Sequence, residues 1–244
     1  MIKYIIFLIV LMTPDLVLAQ QFLYDVLNIP ADSSVATWII RTFGVLTVLS
    51  IIPVILVMVT SFPRFIIVFS ILRIGIGLTS TPSNIIMISL ALFMTFYVMS
   101  PTLDHAMKEG IHPLIENKIT ESEAIQRIGE PFHKFMKDNT RDKDLQLFIN
   151  MAREKGNSVQ GVDHVEYRVL IPAFMISEIR RGFEMGFLIV LPFLIIDMIV
   201  SAIIMAMGMM MLPPTSISLP FKLIFFVLID GWNLLVGSLV RSFV

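Results

Sequence analysis

The sequence predicts an all-α membrane protein. About four hydrophobic helical segments, some kinked or broken, carry a small helical extracytoplasmic domain inserted between the second and third. Three observations give this class. Of 244 residues 56% are apolar, mean hydropathy is +0.85 and only 15% are charged, against about 25% in a soluble domain. The apolar runs are long and are cut by proline and polar clusters. The charges are segregated, with 12 of 18 Lys/Arg and 14 of 19 Asp/Glu between Asp104 and Glu184. A net charge of −1 offers no bulk field for a nucleic acid, so no nucleic-acid partner is expected. The chain has no cysteine, which excludes disulfides, thiol catalysis and cysteine metal sites.

Residues 1–19 have the three parts of a cleavable signal peptide. Lys3 supplies the positive start, Tyr4 to Met12 a short apolar core, and Val17-Leu18-Ala19 a small-residue cleavage site. An uncleaved anchor is the competing reading, although Pro14 and Asp15 interrupt any longer helix. Residues 20–42 would then form an extracytoplasmic segment. Residues 43–101 read as a first hydrophobic hairpin. Phe43 to Val59 is a membrane-type helix interrupted by Pro53, and Phe65 to Leu72 is an apolar octet with Arg64 and Arg73 at its ends. That octet is too short to span, so a re-entrant or protein-packed segment is expected. Ile85 to Met99 is bounded by Pro82 and Pro101 and is also short. Arg64, Arg73 and Lys222 are read as loop charges that turn those loops towards the cytoplasm, which places the charged segment outside it.

Residues 102–181 form that charged helical domain, expected in the periplasm. Thr120 and Glu123 have capping-box spacing. Phe132, Phe135 and Met136 share one helix face, as do Leu145, Phe148, Ile149 and Ala152. Lys155 to Val165 reads as a loop. All four histidines lie in this domain without a metal-ligand motif, so no metal is expected. Pro172 opens a helix in which Glu178 and Arg181 are spaced to pair.

Residues 182–244 form a second hydrophobic hairpin. A helix runs through Phe187 to Leu212 with Asp197 at its middle, where a lone carboxylate facing lipid would cost about 3 kcal/mol. Asp197 and Asp230 are therefore expected to face protein, with Lys222 as partner for either and Asn233 beside them. A structural polar contact and a proton relay both fit these residues. Met205, Met207, Met209, Met210 and Met211 crowd the last turns of the helix. Pro213-Pro214 should stop it, and a new helix should begin at Pro220-Phe221. Methionine is flexible and polarizable, so the cluster suits a seal that closes around a variable object. A methionine-rich packed core fits the same residues.

Several of these stretches resemble the FliP family of flagellar and type III secretion export-gate proteins. They are PAFMISEIRRGF (Pro172 to Phe183), LPFLIIDMIVSAIIMAMGMMMLPP (Leu191 to Pro214) and LPFKLIFFVLIDGW (Leu219 to Trp232). SFPRFIIVFSILR (Ser61 to Arg73) and LFMTFYVMSP (Leu92 to Pro101) fit the same family. The match runs from about Phe43 to the carboxyl end and is poorest up to about Ile40 and near Gly156 to Val162.

The resemblance implies a non-enzymatic subunit of the flagellar export gate in the bacterial inner membrane, with no cofactor. Several copies would assemble with FliQ-like and FliR-like subunits into a helical, ring-like oligomer around a channel for unfolded flagellar substrates. FlhB-like and FlhA-like export components would adjoin it. The family's methionine gasket carries over to Met207, Met209, Met210 and Met211, with Met205 one turn before. Phe135, Phe148, Glu178 and Arg181 would lie at subunit contacts. Flagellar members typically carry a cleavable signal, which residues 1–19 match.

A second functional class is an ion-coupled carrier or intramembrane enzyme using Asp197 and Asp230 as a carboxylate pair. Against it, the sequence has no GxSxG, HExxH or phosphate-cradling glycine loop.

Overall fold

The structure, a computed structural model, describes residues 42–44, 46–47, 49–50, 54–55, 57–154, 165–209 and 213–243. The expected signal peptide, the segment up to residue 41, nearly all of the loop from Lys155 to Val165, Met210 and Met211 lie outside the described residues. The chain divides into two units, Met1–Ile55 and Leu56–Val244. In the first, the described residues are helical, and Thr47 and Ser50 donate their hydroxyls to the carbonyls of Phe43 and Leu46 at 2.8 Å.

The second unit is built of α1 (Phe62–Ile76), α2 (Asn84–Ala106), a π-helical turn (Met107–Ile111), α3 (His112–Ile115), α4 (Glu121–Asn139), α5 (Asp142–Glu154), α6 (Tyr167–Ala206), α7 (Pro214–Leu228) and α8 (Gly231–Arg241). No strand occurs among the described residues. Two stretches, Asn84–Ile115 and Tyr167–Ala206, are long and apolar enough to cross a membrane. The α7–α8 pair, bent by 64°, makes a third if it counts as one span.

Two apolar cores organise these helices, and α6 belongs to both. The first gathers Phe65, Phe69 and Leu72 of α1, Met87 and Ala91 of α2, Phe193 of α6, Phe226 of α7, and Leu235 and Leu239 of α8. The second joins Met136 of α4, Leu145 and Ile149 of α5, and Leu170, Ala173 and Phe174 of α6. The apolar faces read in α4 and α5 are thus core, with Phe132, Phe135, Phe148 and Ala152 packed against it. Close approach of α1 to α6 depends on small residues. A Cβ on Gly186 would stand 2.6 Å from Ile71 Cδ1, and one on Gly75 2.4 Å from Val190 Cγ2. Large apolar side chains stay exposed along α6, among them Phe187, Leu188, Ile195, Met198 and Ile203.

Several helix limits differ from expectation. Pro101 does not end the second helix; it lies inside α2, and the helical run goes on through the π turn to Ile115. The carbonyl that a residue-101 amide would have bonded is that of Tyr97, and Ser100 Oγ donates to it at 3.1 Å instead. The helix expected to open at Pro172 begins at Tyr167, so this proline lies inside α6, where the Arg168 carbonyl goes without the amide it would have bonded. Thr120 does cap α4, accepting from the Glu123 amide at 3.4 Å.

Candidate functional site

The methionine segment is organised by a helix stop that comes earlier than the prolines. The Met209 amide donates to Ile204 O at 3.2 Å and the Gly208 amide to Met205 O at 3.1 Å, with Gly208 left-handed at φ 74°. This is the paired-bond glycine ending of an α-helix, and it closes α6 at Ala206. The helix expected to run on through the methionines therefore stops before Met209, because glycine takes the left-handed turn without the cost a Cβ imposes. Pro213 and Pro214 do not stop α6. They start α7 as its cap and first residue, six residues ahead of the expected restart at Pro220. Met205 and Met207 are each 64% exposed and Met209 37%. Among the described residues they belong to neither buried cluster.

A polar clamp joins the two arms that flank this break. Asp197 of α6 meets Lys222 of α7, with Nζ 2.5 Å from Oδ2. Ser218, one turn before Lys222, donates to Asp197 Oδ1 at 2.6 Å. Lys222 Nζ also donates to Gly75 O of α1 at 3.1 Å. Both carboxylate oxygens of Asp197 are thus engaged within the chain. The sequence named Lys222 for either aspartate, and the structure gives it to Asp197. Asp230 stands apart in the α7–α8 bend at φ 51°, where its carboxylate accepts from Asn233 Nδ2 at 3.1 Å. No hydrogen bond joins Asp197 to Asp230 among the described residues, so the carboxylate-pair carrier finds no support in their contacts.

A second buried charge pair replaces the expected one. Glu178 does not take Arg181, its helical neighbour, as direct partner. Arg64 Nε donates to Glu178 Oε2 at 2.9 Å and Nη2 to Oε1, and both side chains are 0% exposed. Arg64 Nη1 donates to Ser242 O at 3.1 Å and to Ser242 Oγ at 2.8 Å. Burial pulls the Arg64 guanidinium below its ordinary value, against the bond and charge of Glu178 that raise it. Arg64 and Lys222 are thus buried helix residues with partners inside the chain and not loop charges. Arg73 too lies in the last turn of α1, so none of the three residues from which the orientation is argued is a loop charge.

Sequence reading missed Ser218 and the Gly75 carbonyl. The spacing of Ser218 and Lys222 on one helix face was a usable signal for the first, whereas a backbone acceptor leaves none. Ser177 was also missed. It is buried, donates to Asp144 Oδ2 at 2.8 Å and accepts from the Arg141 amide at 3.1 Å, so it ties the start of α5 to α6. Among the described residues no group of three or more His, Cys, Asp or Glu is placed to hold a metal.

Long apolar helices, two apolar cores and charge pairs used to bind helix to helix define the class, an all-helical membrane-associated component. Comparison with known proteins narrows it. The FliP family model matches residues 45–239. The chain is 67% identical over 244 residues to the flagellar biosynthetic protein FliP of Agrobacterium fabrum (strain C58 / ATCC 33970), covering all of both chains. It is 70% identical over 226 residues to that of Rhizobium meliloti (strain 1021), covering 93% of this chain and 92% of the relative. With that of Bacillus subtilis (strain 168) identity is 48% over 204 residues, 84% of this chain and 91% of the relative. The chain belongs to the FliP family, and with it to the flagellar export apparatus.

Proposed function

We propose that this chain lines and seals the protein-conducting channel of the flagellar export gate, as one of several copies assembled with FliQ-like and FliR-like subunits. Unfolded flagellar subunits are the cargo, and FlhB-like and FlhA-like components adjoin the gate. Met205, Met207, Met209, Met210 and Met211 from each copy form the closing ring. One observation carries this reading: α6 ends at Ala206, just before the left-handed Gly208, with Met205, Met207 and Met209 exposed and outside either core. Unbranched, polarizable side chains at the tip of a long helix can close a pore against ions and reopen around a polypeptide. The clamp of Asp197 with Lys222 and Ser218 holds the two arms that present this tip.

The same reading places residues 102–181 in the periplasm and removes residues 1–19 as a signal. Phe135, Phe148, Glu178 and Arg181 belong to the subunit contacts, with Glu178 and Phe135 acting through the helices they fix within the chain. The test is ion conductance of gates assembled from this chain with its host's partner subunits. Met207→Ala with Met209→Ala should widen the closed pore and raise the leak while assembly persists. Unchanged conductance in fully assembled gates removes the gasket role.

A further inference from the structure

We propose that Ser242 and Phe243, which follow α8, are a latch that completes the Arg64 site and holds α4 and α5 on the hydrophobic helices. The guanidinium uses Nε and Nη2 on Glu178, and among the described residues its Nη1 has only Ser242 to serve. The Ser242 hydroxyl donates to Leu239 O at 2.7 Å, so its oxygen is left to accept from Arg64. The ring of Phe243 lies under the guanidinium, 3.5 Å from Cζ to the centroid. A wholly buried arginine thus has its carboxylate supplied by α6 and its remaining acceptors and stacking face by the two residues after α8, distant parts of the chain from α1 and from each other.

Phe243 also bridges the two cores. Its ring is 5.7 Å from Phe65, a member of the first core. It stacks on Phe135 at 6.0 Å and 20°, and Phe135 meets Phe174 of the second core at 6.0 Å. Loss of the latch leaves a buried Nη1 without acceptors and an empty slot between the cores. Both penalties fall on the junction of α4 with α1 and α6, which meets the first core at Phe65 and not at Ala91 of α2. The inference does not depend on the channel reading.

The chain lacks cysteine, so a single introduced one reports local opening cleanly. Ala173→Cys places the reporter in the second core and Ala91→Cys in the first, both at positions that are 0% exposed. Labelling by a membrane-permeant maleimide is timed on the full chain in isolated membranes. Phe243→Ala, or removal of residues 242–244, should speed labelling at position 173 by roughly tenfold or more and leave position 91 unchanged. Phe243→Tyr keeps the ring face and should restore the slow rate. The latch is overturned if position 173 keeps its slow rate in the shortened chain. It is equally overturned if positions 91 and 173 speed up together, since that is general unfolding.

Discussion

Lys222 Nζ sits 2.5 Å from Asp197 Oδ2, and the two ends of this pair are buried unequally, at 5% and 28% side-chain exposure. The inequality ranks the substitutions. Asp197→Ala strands an ammonium whose remaining acceptor is the Gly75 carbonyl. Lys222→Ala leaves a carboxylate that still has Ser218 and some access to water. Stranding the more buried charge costs about 3 kcal/mol and the other about 1–2 kcal/mol. Thermal melting in detergent should rank them in that order. Asp197→Asn combined with Lys222→Met should recover part of the loss, because no charge is then left unpaired.

Arg64 and Glu178 are 0% exposed, so neither charge has water to fall back on when its partner is removed. Glu178→Gln should destabilise by about 3–5 kcal/mol, the cost of an uncompensated buried charge. Arg64→Lys should not substitute, since a point ammonium cannot make two parallel bonds and also reach Ser242. Melting of Arg64→Lys close to that of the unaltered chain would show the forked geometry to be unimportant.

The α1–α6 contact gives a prediction of pure shape. A Cβ at Gly186 would lie 2.6 Å from Ile71 Cδ1 and 3.0 Å from Ile71 Cβ and Cγ2. Gly186→Ala should therefore cost about 1–3 kcal/mol by overpacking. Adding Ile71→Val removes Cδ1 but not the other two atoms, so rescue should be partial. A double-mutant cycle on the melting free energies tests this, and strict additivity would mean that the two residues do not press on each other.

Legibility in the sequence followed the range of the interaction. The apolar faces of α4 and α5 and the Thr120 cap are local patterns of helical period, and they read correctly. Proline positions misled, because Pro101 inside α2 is tolerated through a serine hydroxyl whose compensation no propensity records. Arg64 looked like a flanking charge because its carboxylate lies 114 positions away and its last acceptors 178 away. At the methionine segment the prolines drew attention from Gly208, although glycine past a helix is the commoner ending. The cost of a carboxylate in lipid is readable from the sequence, whereas the choice of Lys222 and Ser218 by Asp197 needed α6 and α7 in register.

Gly208 permits a test that separates backbone from space at the methionine tip. Its φ is 74°, and a Cβ there would meet nothing within 4 Å among the described residues. Gly208→Ala should thus cost about 1–2 kcal/mol through the left-handed backbone alone. Gly208→Asn should cost less, because asparagine tolerates that region. If the turn sets where Met207 and Met209 point, gates assembled with Gly208→Ala should leak more than those with Gly208→Asn, in the same order as the melting losses. Equal leak from both, at unequal stability, would separate the turn from the seal and leave the methionines to be aimed by neighbouring copies.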